Sequence, residues 1–257
     1  MSYEKEIELL KEIAVAVGKY QLEKQKFLKN VNLKEDGSPF TEVDVNSENM
    51  IKEKISTIFQ KDGFLGEESG ETKGESGRRW IIDPLDGTRP YIHGIPTHSI
   101  LIALEDGGVL AAAIAHFPAL DETYWAMSGG GAFCNGEKLS VSKTALLSQS
   151  MASALGIVEE ADKKSGKLLL ETLKKCDYFY GFMDAYSYTS VAAAKLDFCV
   201  SLIDKPWDRA PAALIVKEAG GCFGDLKGNQ TIYGAHFFVS NKNIREELLK
   251  NFAEKLC

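Results

Sequence analysis

Two aspartates three residues apart close an apolar run and are followed by a glycine and a hydroxyl: Trp80-Ile81-Ile82-Asp83-Pro84-Leu85-Asp86-Gly87-Thr88. Trp80 to Ile82 read as the end of a buried strand. Pro84 has no N–H to give a ladder, so sheet pairing is expected to stop there. Gly87 permits a turn or a close backbone approach that a side chain would block. Asp83 and Asp86 then project from a strand's carboxyl end into one space. Carboxylates crowded in a low-dielectric crevice repel each other unless a proton or a cation separates them. Oxygen ligands suit a hard cation such as Mg2+, which keeps part of its water shell and also binds phosphate oxygens. Taken alone, the stretch also fits a strand-end turn that carries solvated acids.

Four other groups could join this pair. Gly66-Glu67-Glu68-Ser69 follows Phe64-Leu65 and puts acids at a strand exit, where an ordinary exposed turn is the commoner outcome. Thr41-Glu42-Val43-Asp44 offers either an acid or simply a helix N-cap at Thr41. Asp208 stands in the first turn of a helix expected over Pro206–Ala219, which the macrodipole alone would favour; Trp207 and the apolar run Ala210–Val216 argue that this helix start is buried. Asp184 opens a helix expected from Tyr186 to Leu196, and capping alone would account for it. Ser-His-Asp chemistry finds no support. The four histidines (His93, His98, His116, His236) form no H-E-x-x-H pair, and no G-x-S-x-G elbow occurs.

The bulk of the chain frames these groups. Its 257 residues are enough for one large domain or two closely packed lobes, and a hydrophobic fraction of 44% supplies a full core. The net charge of −7 argues against nucleic acid or an anionic membrane as the main partner, and an acidic protein that handles an anionic substrate needs a local cation. The five cysteines are scattered and never paired as C-x-x-C, so reduced thiols and a cytoplasmic setting are expected. Met1 to Leu10 lacks the apolar centre of a signal peptide. The apolar stretches Ile100–Leu104 and Val109–Ala115 are split by Glu105-Asp106-Gly107-Gly108 and are too short to span a bilayer.

Periodicity predicts a long first helix from Ile7 toward Phe27 and a second from Val45 to Gln60. Strands follow at 63–66, 80–82, 99–104, 109–117 and 122–127, with hairpin turns at 105–108 and at Asn135-Gly136. Gly70–Gly77 reads as a mobile loop beside Glu67. The second half gives helices at 159–175, 186–196, 206–219 and 243–256, and strands at 177–182, 197–202 and 237–240. Gly220-Gly221 ends the third of those helices. The expected fold class is α/β, in an α+β layered arrangement over residues 1–257, with an N-terminal lobe of about 1–145 and a C-terminal lobe of about 146–257.

Gly66-Glu67-Glu68-Ser69, Trp80–Thr88, and Trp207-Asp208 with Glu218-Ala219-Gly220-Gly221 together resemble the inositol monophosphatase family, and Thr41-x-x-Asp44 and Gly94-x-Pro96 fit the same pattern. The similarity runs from about Ile7 to Asn241. It implies a sandwich of alternating helix and sheet layers as in that family and fructose bisphosphatases, dependence on two or three Mg2+ ions, hydrolysis of a small-molecule phosphate monoester, and a homodimer. Carried over by residue, it makes Glu67, Asp83, Asp86 and Asp208 carboxylate ligands, with the carbonyl of Leu85 a further one. Thr88, oriented by Asp44, would help Glu67 deprotonate and aim the attacking water, and the N–H groups of Gly87 and Thr88 would hold phosphate oxygens. Phosphate-monoester hydrolysis is among the slowest uncatalysed reactions, so charge stabilisation and positioning must supply most of the acceleration. Haloacid-dehalogenase-like phosphatases carry D-x-D-G-T near the chain start. Here the spacing is D-x-x-D-G-T, about 80 residues in, which suits Asp83 as ligand better than as nucleophile.

Substrate choice rests on other residues. Asp184-Ala185-Tyr186-Ser187-Tyr188 and Thr88-Arg89-Pro90-Tyr91 resemble the histidinol-phosphate phosphatase subgroup, which makes Asp184 and Arg89 candidate substrate contacts beside Asp86, Gly87, Thr88 and Asp208. Arg89 also fits a snorkelling surface side chain. Ser201 lies where both groups commonly place a Glu that contacts the alcohol, and Trp207 is nearer the inositol-phosphatase version. Histidinol phosphate is the first expectation for substrate, an inositol or related sugar or nucleotide phosphate the second, and a catalytically silent metal- or phosphate-binding protein the reading of another class.

Overall fold

Which face each central strand residue turns to decides the layering. In this computed structural model, which describes residues 3–28, 31–35, 37–181 and 183–252, Trp80 and Ile82 pack on one face of a sheet and Ile81 on the other. Ile100, Ile102 and Leu104 split from Leu101 and Ala103 in the same way, as the two-residue side-chain period of a strand requires. These strands are apolar on both faces, so both must be covered.

The elements run as follows: α1 (Glu4–Gln25), β1 (Asn32–Leu33), β2 (Pro39–Phe40), α2 (Glu42–Ile58), β3 (Gly63–Gly66), β4 (Gly70–Thr72), β5 (Arg78–Asp86), α3 (Thr88–Ile92), β6 (Ser99–Asp106), β7 (Val109–Phe117), β8 (Glu122–Met127), β9 (Gly131–Cys134), β10 (Glu137–Lys138), β11 (Met151–Leu155), α4 (Lys164–Leu173), β12 (Tyr178–Tyr180), α5 (Asp184–Ala192), β13 (Phe198–Ser201), α6 (Pro206–Glu218), β14 (Cys222–Gly224), β15 (Phe237–Ser240) and α7 (Arg245–Lys250). Among the described residues, one sheet has eight strands in the order β10-β9-β8-β7-β6-β5-β3-β4, with only the β3–β5 pair parallel. A second has the order β12-β11-β13-β15-β14, parallel at β12-β11-β13 and antiparallel beyond.

Helices and sheets alternate. Ile7, Leu10, Ile13 and Val17 of α1 and Ile51 and Ile55 of α2 cover the Trp80 face of the large sheet. Its Ile81 face packs on α5 and α6 through Tyr188, Val191, Leu214 and Ile215, and these helices also meet Cys199, Phe237 and Val239 of the second sheet. The far side of that sheet, with Phe198, Val200 and Phe238, is closed by Leu169 and Leu173 of α4 and Leu248 of α7. This is the layered α/β arrangement expected from the sequence.

Several boundaries differ from the expectation, each for a local reason. Pairing does not stop at Pro84: β5 meets β6 at Asp83↔Leu101 and again at Asp86↔Ser99, and the residues between form a bulge that tolerates a proline. Helix α2 starts at Glu42 because Thr41 caps it, its hydroxyl accepting from Val43 N–H. The helix expected at 159–175 begins only at Lys164. Residues 156–163 form successive turns that fold back on it, and a Cβ at Gly166 would lie 2.0 Å from the Glu160 carbonyl oxygen. Residues 70–72 of the expected loop pair with β3 as an exposed edge strand. Strand β11 carries small residues (Met151-Ala152-Ser153-Ala154-Leu155) and β14 only three residues, so neither shows a strand signature. Of the strand expected at 177–182 and the helix at 243–256, Phe182 and residues 253–257 lie outside the described residues.

The Glu218 of the Glu-Ala-Gly-Gly motif is a fold element: its carboxylate accepts from the N–H groups of Gly129 and Gly131, both at 3.0 Å, and ties the β8–β9 turn to the end of α6. Replacing Glu218 with Ala is expected to cost about 1–3 kcal/mol in urea unfolding, through two lost donors' acceptor, with kcat unchanged.

Candidate functional site

The bulge in β5 is where the site begins, because its backbone groups all find partners that fix the acids. Asp83 is buried, and its Oδ1 accepts from Leu85 N–H at 3.0 Å. The Pro84 carbonyl accepts from Gln21 Nε2 of α1 at 2.7 Å. The Leu85 carbonyl oxygen lies 3.2 Å from Thr88 Oγ1 as a second acceptor within reach of that hydroxyl, while the Leu85 side chain is buried with Val43 and Tyr91. Asp86 Oδ2 accepts from Ser99 Oγ at 2.9 Å and from Ala185 N–H, the start of α5, at 3.2 Å. Asp208 arrives from the first turn of α6, with Oδ2 taking the Lys205 N–H at 2.6 Å. Asp83, Asp86 and Asp208 each offer a carboxylate oxygen, and the three lie within 4.8 Å of one another.

These carboxyls are held well out of their usual range. Burial pushes Asp83 and Asp86 well up, and neighbouring negative charge adds to it: Glu67, Asp208 and Asp86 act on Asp83, and Asp184, Asp208 and Asp204 on Asp86. Asp208 is pushed up to about 7 by burial and then by Asp204, and Asp184 to about 6 by the same two causes. A proton shared among these oxygens relieves the repulsion, and so would a divalent cation. An all-oxygen donor set of three converging carboxylates fits a hard cation and offers nothing to a soft one.

Thr88 lines the same cleft, with Asp44 behind it. Thr88 Oγ1 donates to Asp44 Oδ1 at 3.1 Å. Asp44 Oδ2 takes both the N–H (2.8 Å) and the hydroxyl (2.7 Å) of Thr41, completing a capping box. Burial raises the Asp44 carboxyl, and the Thr41 and Thr88 bonds oppose that rise. Gly87 has φ +75°, and a Cβ there would lie 3.2 Å from Asp184 Oδ2, so the turn into α3 needs glycine. Met183 and Asp184 also have positive φ (120° and 43°), a backbone cost concentrated beside the cleft.

A cavity of about 440 Å3 joins these parts and is walled by Glu67, Asp83, Leu85, Asp86, Gly87, Thr88, Arg89, Asp184, Ile203 and Asp208, among others. Every candidate from the sequence except Asp44 and Ser201 is on that wall; Asp44 acts from behind Thr88. Glu67 is on the wall, yet its Oε1 accepts from Lys34 Nζ at 2.7 Å and is not one of the three converging acids. Ser201 does not reach the cavity: it is fully buried, and its hydroxyl accepts from the N–H groups of Ile203 and Asp204. Nothing in the sequence points to Lys34, to Ser99 or to Asp204, a half-buried acid that accepts from the Tyr188 hydroxyl. Single polar residues in loops carry no periodic signal, and Asp204 could have been noticed only by its place between Ser201 and Asp208.

Comparison with known proteins agrees with this geometry. The model of the inositol monophosphatase family matches residues 3–257. A histidinol-phosphatase from Chlorobaculum parvum is 40% identical over 213 residues, 82% of this chain and 81% of that protein. An inositol-1-monophosphatase from Rhizobium meliloti is 36% identical over 224 residues, 85% and 84% of the two chains. The solved structure of an IMPase from Thermotoga maritima, 33% identical, superposes with a TM-score of 0.85 over 95% of each chain.

The raised carboxyls set a pH dependence. Their folded pKa lies above the unfolded value, so the stability they contribute is complete below the unfolded pKa of about 4 and is lost as pH rises through the folded values, about 7 for Asp208. Without divalent cation, Asp208→Asn is therefore expected to raise the Tm at pH 8 and to leave it nearly unchanged at pH 4. Added divalent cation should raise the wild-type Tm more at pH 8 than at pH 5, because protons compete for the same oxygens. Thermal scans across this pH range check both.

Proposed function

The chain belongs to the inositol monophosphatase family and is a phosphoric monoester hydrolase, and on that basis we propose that it is a Mg2+-dependent histidinol-phosphate phosphatase. The observation that carries the reading is the convergence of Asp83, Asp86 and Asp208 next to the Thr88–Asp44 pair. Asp83, Asp86 and Asp208, with Glu67 and the Leu85 carbonyl, would hold two or three Mg2+ ions. When bound, Mg2+ neutralises phosphate charge, makes water more acidic and stabilises the departing oxygen.

The protein's own groups do the rest. The phosphate lies against the N–H groups of Gly87 and Thr88, where the glycine keeps the backbone open. Thr88 already points its proton at Asp44, so its oxygen lone pairs are free to accept from a water in the cleft. As that water's oxygen bonds to phosphorus and the ester P–O bond breaks, its proton passes to Thr88 Oγ1 and the Thr88 proton to Asp44 Oδ1, and the departing alkoxide takes a proton from water in the cleft. Burial raises the Asp44 carboxyl and so eases this transfer. Glu67 accepts a hydrogen bond from the water's remaining O–H and fixes its direction.

Asp184 is the proposed contact for the alcohol. It lines the cavity beside Gly87, where a carboxylate would pair with the amine of histidinol phosphate. Arg89, exposed on the same wall, is the proposed substrate-side cation. The 36% identical inositol-1-monophosphatase favours inositol phosphate as the second reading. A homodimer is part of the proposal, supported by the exposed aromatic edge strand Tyr178-Phe179-Tyr180. So is a reducing, cytoplasmic setting, supported by the free Cys134, Cys176, Cys199 and Cys222. Among the described residues no helix is long and apolar enough to cross a membrane.

Phosphate release with Mg2+ tests the reading. The kcat/KM on histidinol phosphate is expected to exceed that on inositol 1-phosphate by at least about tenfold, and Asp184→Asn to remove most of that preference, since a charge-assisted bond is worth about 1.5–3 kcal/mol. The reverse substrate order overturns the proposal. Asp83→Asn and Asp208→Asn should each lower kcat by about 100-fold or more while remaining folded by circular dichroism.

A further inference from the structure

Helix α2 carries two buried acids one turn apart, Asp44 at 1% and Glu48 at 2% exposure. Residues four apart share a helix face, and carboxylates are almost never fully buried without partners. Asp44 is accounted for by Thr41 and Thr88. Glu48 is not part of the cavity wall, yet it spends both oxygens on the turn that presents Glu67. Its Oε2 accepts from the Glu68 N–H at 2.9 Å, and its Oε1 accepts from the Ser69 hydroxyl. Lys52 Nζ lies 3.9 Å from the same Oε1 and donates to Ser69 Oγ at 2.8 Å, which locks the pair from the solvent side. A Cβ on Gly66 would lie 2.4 Å from Glu48 Oε1, so the strand end leaves room for this carboxylate. The Glu67 N–H, meanwhile, donates to the Ile82 carbonyl at 3.1 Å and ties the turn to β5, one residue before Asp83.

We propose that Glu48 is a positioning residue for the hydrolysis: through Glu48 and Asp44 the single rigid helix α2 sets the separation between the Glu67 carboxylate and the Thr88 hydroxyl. The inference deepens, and rests on, the reading of Glu67 and Thr88 as the groups that flank the attacking water. A carboxylate at residue 48 suits this task because the turn presents two donors, one backbone and one hydroxyl, which an apolar side chain would leave unpaired in a half-buried place. A positional error of about 1 Å at such a water can cost about 100-fold in rate. The helix is held independently of the cleft, since Ile51 and Ile55 of the same element are fully buried against α1 and the large sheet.

The test compares Glu48→Ala and Glu48→Gln with Ile55→Ala, a core variant of the same helix that lowers stability without touching the Glu67 turn. Three quantities are read at a temperature well below each Tm: kcat, the half-saturating Mg2+ concentration, and Mg2+ binding by calorimetry without substrate. Glu48→Ala is expected to lower kcat and weaken Mg2+ binding by about tenfold each, with KM for the phosphate ester changed by less than about threefold, because loss of a group behind a metal ligand typically costs about 10–100-fold. Glu48→Gln keeps one acceptor and should shift both in the same direction by about threefold. Ile55→Ala should lower Tm and leave all three unchanged. The proposal is overturned if a folded Glu48→Ala matches wild type in kcat and Mg2+ binding, or if Ile55→Ala produces the same shifts. Should Glu48→Ala fail to fold, an unchanged Glu48→Gln overturns it. Wild-type protein that binds no Mg2+, or binds it equally after Asp83→Asn, would instead remove the reading of the cleft itself.

Discussion

Repulsion among carboxylates gathered in one low-dielectric cleft is the constraint the architecture has to contain. Asp83, Asp86 and Asp208 converge within 4.8 Å, and Asp184 and Asp204 beside them add negative charge. Left to themselves these side chains would swing apart into solvent. Each is instead pinned by a donor: Asp83 by the Leu85 N–H of its own bulge, Asp86 by Ser99 of β6 and the Ala185 N–H of α5, Asp208 by the Lys205 N–H at the start of its own helix. The fold thus keeps an unfavourable arrangement that only a proton or a cation relieves, and the cost is met by the apolar layers on either side.

Those layers also explain why helix beginnings surround the cleft. α2, α3, α5 and α6 start at Glu42, Thr88, Asp184 and Pro206, and each start contributes a residue that lines the cavity or supports one. Unpaired N–H groups and the positive end of a helix favour nearby negative charge. The Asp44 and Asp208 carboxylates each close such a start by accepting the N–H three residues before them. The capping box at Thr41-x-x-Asp44 is formed, and the same Asp44 carboxylate also accepts from Thr88 on the cavity wall, so one residue both caps α2 and supports the cleft.

Residues that share a motif do not share a task. Glu218 fastens the β8–β9 turn, and Ser201 fastens the loop that leads to α6. Pro84 is neither a sheet breaker nor a ligand. It forms the bulge that lets strand β5 rejoin β6 at Asp86, with its carbonyl held by Gln21. The two residues Pro84 and Leu85 thereby set the spacing between two acids.

The sequence by itself determined the local rules: apolar alternation at Trp80–Ile82 and Ile100–Leu104, the helical stripe Ile7–Val17, glycine turns at Gly107-Gly108 and Asn135-Gly136, and the string of acids that marks the family. These follow from side-chain period, turn conformation and residue type, all of which are readable along one chain. What only the tertiary structure decided is which distant groups meet: Lys34 on Glu67, Ser99 on Asp86, Glu48 on the Glu67 turn, and Asp204 behind Asp208 and Asp184. Such pairings depend on layer packing across tens of residues, and a lone polar residue gives no periodic mark of them. Strand β11 was hidden for a related reason, since its small side chains gain their place from strands on both sides and not from any preference of their own.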